Sequence, residues 1–431
     1  MTTAGLGLET GDEALAVLTG PVRVSRGALR ARADALLAEF EARGVERALV
    51  RSDDPMHILR AIDASSRSGA DLWIAHTNLP DEFLVEIVEQ AGIQAVLGET
   101  DEFRAGTGAA KAARIHMMTS GTTGRPKIAV HTLATLLNRV RSGANVQANR
   151  EGKWLLTYQT TGFAGVQVML MAMLSRGLIV VPEQRTPAGF YEAAKQGEVT
   201  QISGTPTFWR SFLMVAPRGA LALRQITLGG EAIDQATLDR VKAAFPEARV
   251  THIYASTEAG VGFSVHDGRE GFPKAWLERE NQGVELRLRD GLLELKTPNA
   301  MQRYASGAEQ PLLDDGWLKT ADRCEIVGER VRILGRQDST INVGGSKVYP
   351  LAVESFLLGL PGVQEARVFG IPNPISGNLV AAEVALAPGV DPEQARISIL
   401  AACREGLAGY QVPRSFKIVD SVKVAASGKK G

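Results

Sequence analysis

"TSGTTGRPK", residues 119–127, joins two runs that read as strands, "ARIHMM" before it and "IAVHT" after it. The loop is built from hydroxyls, two glycines and two cations, so it has almost nothing to bury. Backbone amides in a glycine-containing turn can converge on an anion. Gly121 and Gly124 permit the positive φ values that such a turn needs and let a ligand approach the backbone. Ser120, Thr122 and Thr123 can donate hydroxyl protons to phosphate oxygens, Lys127 adds a point charge, and Pro126 stiffens the exit. Together these favour a polyphosphate cradle. A Walker loop would open a helix and end in Lys-Ser or Lys-Thr. Here the lysine follows a proline, precedes Ile128 and leads into a strand, so that reading fails. A solvated turn rich in small residues remains the competing reading of this stretch alone.

Outward from the loop, strand and helix patterns alternate. "GALRARADALLAEFEAR" is helical, "ERALVRS" a strand, and "DEFLVEIVEQAG" a helix ending at glycine. After the loop, "TLATLLNRVRSGANV" reads as one helix, followed by strand "KWLLTY", helix "GVQVMLMAML" and strand "GLIVVP". Helix "TPAGFYEAAKQG", strand "VTQISG", helix "PTFWRSFLMV", strand "LRQITLGG", helix "QATLDRVKAAF" and strand "RVTHIYA" continue the series. Such alternation predicts crossover units in mainly parallel sheets. The pattern then changes to two hairpins, "GVELRLRDGLLELKT" and "RCEIVGERVRILGRQD". "INVGGSKVYP", helix "AVESFLLGL", strands "EARVFGI" and "LVAAEVALA", and helix "PEQARISILAACREGLAG" form a smaller α+β unit. The expected architecture is α/β: a large N-terminal domain, 1–337, of mainly parallel sheets flanked by helices with a small β-region. A small mobile α+β domain, 338–431, should follow.

Composition narrows the class. The 431 residues carry 48 Lys plus Arg against 48 Asp plus Glu, and this zero net charge argues against nucleic acid as the main partner. Cys324 and Cys403 lack metal-ligand spacing and read as reduced thiols. The N-terminus lacks the basic start of a signal peptide, and "VQVMLMAMLSRGLIVV" is broken by Ser175, Arg176 and Gly177, so no membrane span and a cytoplasmic location are expected. There is no serine-hydrolase elbow and no G-x-G-x-x-G at a strand-to-helix turn. Nothing in the sequence sets the oligomeric state.

"TSGTTGRPK" resembles the phosphate loop of acyl-adenylate-forming enzymes, the superfamily of acyl- and aryl-CoA synthetases, peptide-synthetase adenylation domains and firefly luciferase. The other family elements follow in order. "IYASTEAG" resembles the Y-G-x-T-E element, which implies that Tyr254 lies near adenine with Ala255 and Ser256 beside it. It also implies that Thr257 contacts phosphate and that Glu258 holds magnesium. "LGGEAI" resembles the segment bordering adenine, with Gly230, Glu231 and Ala232, and "GWLKTADRCEI" supplies a ribose-binding Asp322. "GRQDSTINVGGSKVYPLAVE" resembles the hinge region, with Arg336 toward the ribose and Asp338 as pivot; "SGKKG" resembles the stretch around the catalytic lysine, here Lys429. Singly, each lysine or aspartate reads equally as a solvated surface charge.

The resemblance implies two half-reactions. A carboxylate attacks the α-phosphorus of ATP with Mg²⁺ bound, releasing pyrophosphate and leaving an acyl-AMP. The small domain then rotates, and Gly344 and Gly345 line the passage for a pantetheine thiol of coenzyme A or of an acyl carrier protein's phosphopantetheine. Thr119, Ser120, Gly121, Thr122, Thr123, Gly124 and Lys127 would hold the phosphates. Thr161, Phe163, Gly229, Ala255 and Gly260 would line the acid pocket.

Several departures from the family pattern matter. Ala255 stands where the family usually has glycine and adds a methyl to the pocket wall, and "YQTTGFAG" has no histidine to gate it. No aspartate is placed to hold an α-amine, which leans away from amino acids. The segment before the loop is shorter than in most relatives, so a reduced N-terminal subdomain is expected. The expected substrate is a small aryl or short acyl acid. A non-thiol acceptor (an amine, or nitrite activated for diazotisation) and a non-catalytic nucleotide-binding protein are the alternatives.

Overall fold

The computed structural model describes residues 6–104, 113–119, 127–305 and 310–422. An eight-stranded sheet runs in the order Gly260–Val265, Arg249–Ser256, Gln225–Leu228, Gln201–Gly204, Lys153–Leu155, Leu178–Val181, Leu15–Thr19, Val22–Ser25. Its neighbours pair in parallel except at the two edges. The crossover helices begin where the sequence can cap them. Thr186 and Thr205 each cap a helix whose first residue is proline, and Asp234 caps Gln235–Ala244. These side chains satisfy amides that have no partner inside the helix.

A seven-stranded sheet centres on Arg47–Val50, Asp71–Ile74 and Arg114–Thr119. The apolar helix Phe163–Leu174 shares one core with Arg26–Arg43 and Pro55–Ser68 and with strands of both sheets, so it lies between them. That position explains a helix apolar all round except at Gln167. A five-stranded antiparallel sheet follows, containing the two expected hairpins, Glu285–Arg289 with Leu292–Lys296 and Leu318–Val327 with Arg330–Arg336. The remaining sheet holds Ile341–Val343, Ser346–Val348, Val363–Asn373, Gly377–Leu386 and Ser415–Ile418, and packs with helices Pro350–Leu358 and Pro392–Gly406 around a core of its own.

That last unit is tied to the rest by named groups. Arg240 donates to the carbonyls of Leu358 and Val363 at 2.9 and 2.7 Å. Ser211 donates to the buried Glu365 carboxylate at 2.8 Å, whose second oxygen accepts the Val422 amide at 2.9 Å. No helix among the described residues is long and apolar enough to cross a membrane.

Two expectations need correction. "TLATLLNRVRSGANV" is not one helix but Leu133–Leu137 and Gly143–Ala148, because Ser142 caps a new helix through the Asn145 amide and Gly143 weakens continuity. Residues before 26 also contribute more than the pattern showed. They form a hairpin, Leu15–Thr19 with Val22–Ser25, that extends the large sheet.

Candidate active site

Thr119 ends one strand of the seven-stranded sheet and pairs with Lys127, which begins the next, so the polar loop is the connection of an antiparallel pair. This is the strand–loop–strand setting that excluded a Walker loop. Ser120, Gly121, Thr122, Thr123, Gly124 and Lys429 lie outside the described residues. Lys127 Nζ sits 5.2 Å from the centre of the Tyr304 ring.

The segment 256–260 is clamped on every side. His131 Nε2 lies 2.6 Å from the Thr257 carbonyl, which can only accept, so this nitrogen carries the proton. Burial holds the His131 pKa below its ordinary value, which keeps that neutral tautomer. The Met301 amide donates to the Glu258 carbonyl at 2.8 Å, and the Ala259 amide donates to Ser256 Oγ at 3.0 Å. Tyr304 donates its hydroxyl to Glu258 Oε1 at 2.7 Å. Burial, with the Glu258 charge beside it, pushes the Tyr304 pKa up, so the phenol stays a donor. Gly260 has φ +65°, and a Cβ there would lie 2.4 Å from the Asn299 carbonyl, so only glycine fits.

The expected adenine and ribose residues come together. Tyr254 stacks on Phe263 at 5.3 Å and donates its hydroxyl to Asp322. Burial, then the Asp322 charge, raises the Tyr254 pKa. Asp322 pairs in register with Arg336, whose guanidinium reaches the Asp338 carboxylate at 3.2 Å. Asp338 lies in the short 3-10 turn Gln337–Ser339 that follows the strand. In "LGGEAI", Gly230 adopts φ +83° beside Thr205, and Glu231 accepts from the Thr207 amide and hydroxyl at 3.0 and 2.8 Å. Ala232 is half-buried next to it. Gly344 and Gly345 form the exposed turn between Ile341–Val343 and Ser346–Val348.

A cavity of about 580 Å³ opens from this cluster. One wall is the large sheet. Gln225, Thr227 and Gly229 line it, as do Thr251, Ile253 and Ala255, while the intervening Ile226, Leu228 and Val250 pack into the opposite core. This is the two-residue alternation of a strand with one face on a core and the other on a slot. The facing wall is helix Phe163–Leu174, which presents Phe163, Gln167 and Met171 at four-residue spacing. Thr119, Ser256 and Thr257 also line it, so the slot reaches the start of the polar loop and the clamped segment.

Of the candidate pocket residues, Phe163, Gly229 and Ala255 line this slot, whereas Thr161 and Gly260 do not. Thr161 is buried with its hydroxyl 2.9 Å from His76 Nδ1, and it is His76 that lines the cavity. His76, two residues past strand Asp71–Ile74, thus places at the slot a histidine of the kind that "YQTTGFAG" lacks. Burial depresses its pKa, so it is neutral. Gly260 is packed against Asn299 instead. The sequence reading also passed over His131, whose signal was a polar residue within the mostly apolar strand Lys127–Thr132, and Tyr304, for which the two-residue strand Arg303–Tyr304 offers no local signal.

Fit to magnesium can be judged from the donors. Among the described residues no group of three or more His, Cys, Asp or Glu could hold a metal. Glu258 offers one oriented carboxylate, and one carboxylate plus substrate phosphates suits Mg²⁺. The residues fit that ion.

Comparison with known proteins agrees with the geometry. Residues 109–290 match the family described as AMP-binding enzyme, and residues 352–429 match the AMP-binding enzyme C-terminal domain. Feruloyl-CoA synthase of Amycolatopsis sp is 30% identical over 340 residues, covering 73% of this chain and 67% of that protein. The 2-succinylbenzoate–CoA ligase of Bacillus subtilis is 28% identical over 366 residues, covering 81% and 71%. Among solved structures, ATP-bound MatB from Rhodopseudomonas palustris superposes with a TM-score of 0.80 at 21% identity, covering 99% and 97% of the two chains. Fold, site and matches define an ATP-dependent, AMP-forming acid–thiol ligase. The chain belongs to the AMP-binding, or acyl-adenylate-forming, enzyme family.

Proposed function

We propose that the protein activates a small aryl or short acyl carboxylic acid as its adenylate and passes the acyl group to a pantetheine thiol, that of coenzyme A or of a carrier protein. The observation that carries this reading is the junction of the slot, at Gly229 and Ala255, with Thr119, Thr257 and the clamped Glu258. An acid in the slot has its carboxyl beside the residues suited to phosphate. The names of the relatives, a feruloyl-CoA synthase and a 2-succinylbenzoate–CoA ligase, support an aryl substrate and a coenzyme A acceptor.

In this mechanism a carboxylate oxygen attacks the α-phosphorus, the α–β bridging bond breaks, and pyrophosphate leaves with its electron pair. The acid's negative charge meets a polyanion, so the main task is electrostatic. Lys127, the loop amides and Lys429 offset charge, and Thr257 donates to the α-phosphate. Tyr254, Asp322 and Arg336 orient the nucleoside, supplying the alignment that makes attack effectively intramolecular. Mg²⁺, held by Glu258 and the phosphates, would neutralise charge on the leaving group. In the second half-reaction a thiolate attacks the acyl carbon and AMP departs. Division of the chain near residue 337, with Asp338 as pivot and Gly344 and Gly345 along the thiol's path, is part of the same proposal.

Pyrophosphate release with MgATP across aryl, acyl and amino acids, with and without coenzyme A, is the test. Acid-dependent release that Lys429→Ala abolishes, accelerated by the thiol, is the expected result. Release that ignores thiols but responds to amines or nitrite would move the acyl or nitrosyl acceptor elsewhere, and no release despite ATP binding would mark a non-catalytic nucleotide binder.

A further inference from the structure

The slot does not end in apolar side chains. Beyond Ile253 its walls become polar and cationic, with Arg139, Ser264, His266, Arg249 and Thr251 around the far end. Ser264 pairs with Ile253 on the neighbouring strand. Ile253 lies two positions and Thr251 four positions from Ala255, so the polar end begins roughly 7 Å and extends to roughly 13 Å from the reacting end, at ~3.3 Å per residue.

The two arginines there have only neutral partners. Arg139 donates to Gln282 Oε1 at 2.6 Å and to Ser264 Oγ at 3.2 Å. Arg249 reaches His266 Nδ1 at 3.4 Å, and Thr251 Oγ1 reaches the same nitrogen at 3.1 Å. Among the described residues neither guanidinium has a carboxylate within 4.0 Å. The acid nearest in sequence, Asp267, is taken by Arg330 at 2.6 Å. Arg139 is half-buried and Arg249 exposed; among other half-buried arginines Arg60 finds Asp101 and Arg114 finds Asp71, both at 2.6 Å, while Arg240 meets only carbonyls. Burial lowers the Arg139 pKa, and burial, then Arg249 and Arg139, hold His266 below its ordinary value; two cations thus stand at this end with no carboxylate of the described residues in contact with either.

We propose that this far end is an anion subsite, and that the acid activated by the enzyme carries a second negatively charged group held by Arg139 and Arg249. The idea rests on the reading that the reacting carboxyl lies at Gly229 and Ala255. A guanidinium with spare donors gives an incoming carboxylate charge-assisted bonds that a neutral group of the same shape cannot match. The slot's sides, Phe163, Val168 and Ile253, supply apolar contact for an aryl spacer between the two charges. His266 Nδ1 already accepts contacts from Arg249 and Thr251, so it positions those groups and leaves the anion to the arginines.

The test is ATP–pyrophosphate exchange with 4-carboxycinnamate against its 4-carboxamide, two acids of nearly one shape that differ in the distal charge. The wild type should favour the dianion in kcat/KM by about tenfold or more. In Arg139→Gln and Arg249→Gln that ratio should fall toward one, and being internal to each variant it cancels losses common to both acids. Should a variant not fold, raising salt in the wild type from low to high should shrink the ratio, because the far end is open to water and screened. Exchange with the carboxamide equal to or faster than with the dianion overturns the subsite and leaves the ligase reading intact. No exchange with any acid in the wider panel overturns the ligase reading, and the subsite with it.

Discussion

Removing one oxygen atom tests how the proposed metal ligand is held. Tyr304→Phe deletes the hydroxyl that lies 2.7 Å from Glu258 Oε1 and leaves the rest of the residue in place. The ring keeps Lys127 over its face, the backbone amide keeps Gln310 as acceptor, and the strand keeps its pairing with Ala129. Hydrogen bonds to charged groups contribute about 1.5–3 kcal/mol net. Glu258 is only half-buried, so the lower part of that range applies, about 1.5–2 kcal/mol. At 1.4 kcal/mol per factor of ten, exchange should slow by roughly 10- to 30-fold. The loss should be largest at limiting Mg²⁺ and recover in part as Mg²⁺ is raised, because the released carboxylate still binds the ion but pays for its own orientation. Pyrophosphate exchange across a Mg²⁺ titration, beside a melting curve, measures both. A variant with wild-type rate and wild-type Mg²⁺ dependence would refute the clamp.

Gly260→Ala should destabilise by at least about 2 kcal/mol, since the left-handed backbone costs ~1–2 kcal/mol for alanine and the new methyl meets the Asn299 carbonyl; an unchanged urea midpoint would show the turn is not constrained. His252 donates Nε2–H to the Gly271 carbonyl, and burial lowers its pKa to about 4. A base whose folded pKa lies below its unfolded value of ~6.5 contributes stability that is complete above 6.5 and lost as pH falls toward 4, by about 3 kcal/mol in all. Urea unfolding at pH 7 and pH 5 should therefore differ, and His252→Gln should flatten the difference. Gly345→Val, in an open turn at φ +86°, should leave acid-dependent pyrophosphate release largely intact while thioester formation falls by about tenfold or more; equal loss in both half-reactions would remove this turn from the thiol's path.

Much of the fold could be read from periodicity because parallel strands and crossover helices repeat it. From "KWLLTY" to "RVTHIYA" each expected strand and helix is present, with Thr-Pro and Asp caps at the helix starts. The slot was also written in the sequence, though less visibly. "RQITL" and "RVTHIYA" place Gln225, Thr227, Arg249 and Thr251 on one face of strands that would otherwise be buried on both sides. Such strands normally read as unbroken apolar runs, so the polar alternation marks a cavity. What could not be read was partnership across distance. Tyr304 and Glu258 are 46 residues apart, and His131 and Thr257 are 126 apart. Thr161 was identifiable as a site candidate, but its burial behind His76 depends on how two sheets meet, which no local pattern encodes.

The strand Leu15–Thr19 pairs with Leu178–Val181, and Arg303–Tyr304 pairs with the strand Lys127–Thr132. On a ribosome the first hairpin must wait for some 160 further residues before its sheet neighbour exists, and Lys127–Thr132, already paired with Arg114–Thr119, must wait for residue 304 to gain its other neighbour. Pairings so distant in sequence form slowly, since loop closure precedes the contacts that reward it. Glu258 therefore emerges before the tyrosine that clamps it, and a nascent chain halted short of residue 304 would hold Lys127 and Glu258 near one another through His131 and the Thr257 carbonyl, without the Tyr304 hydroxyl. On the proposed role of Glu258, ATP binding should arise late in synthesis, and stalled chains of graded length should show it as a step rather than a slope.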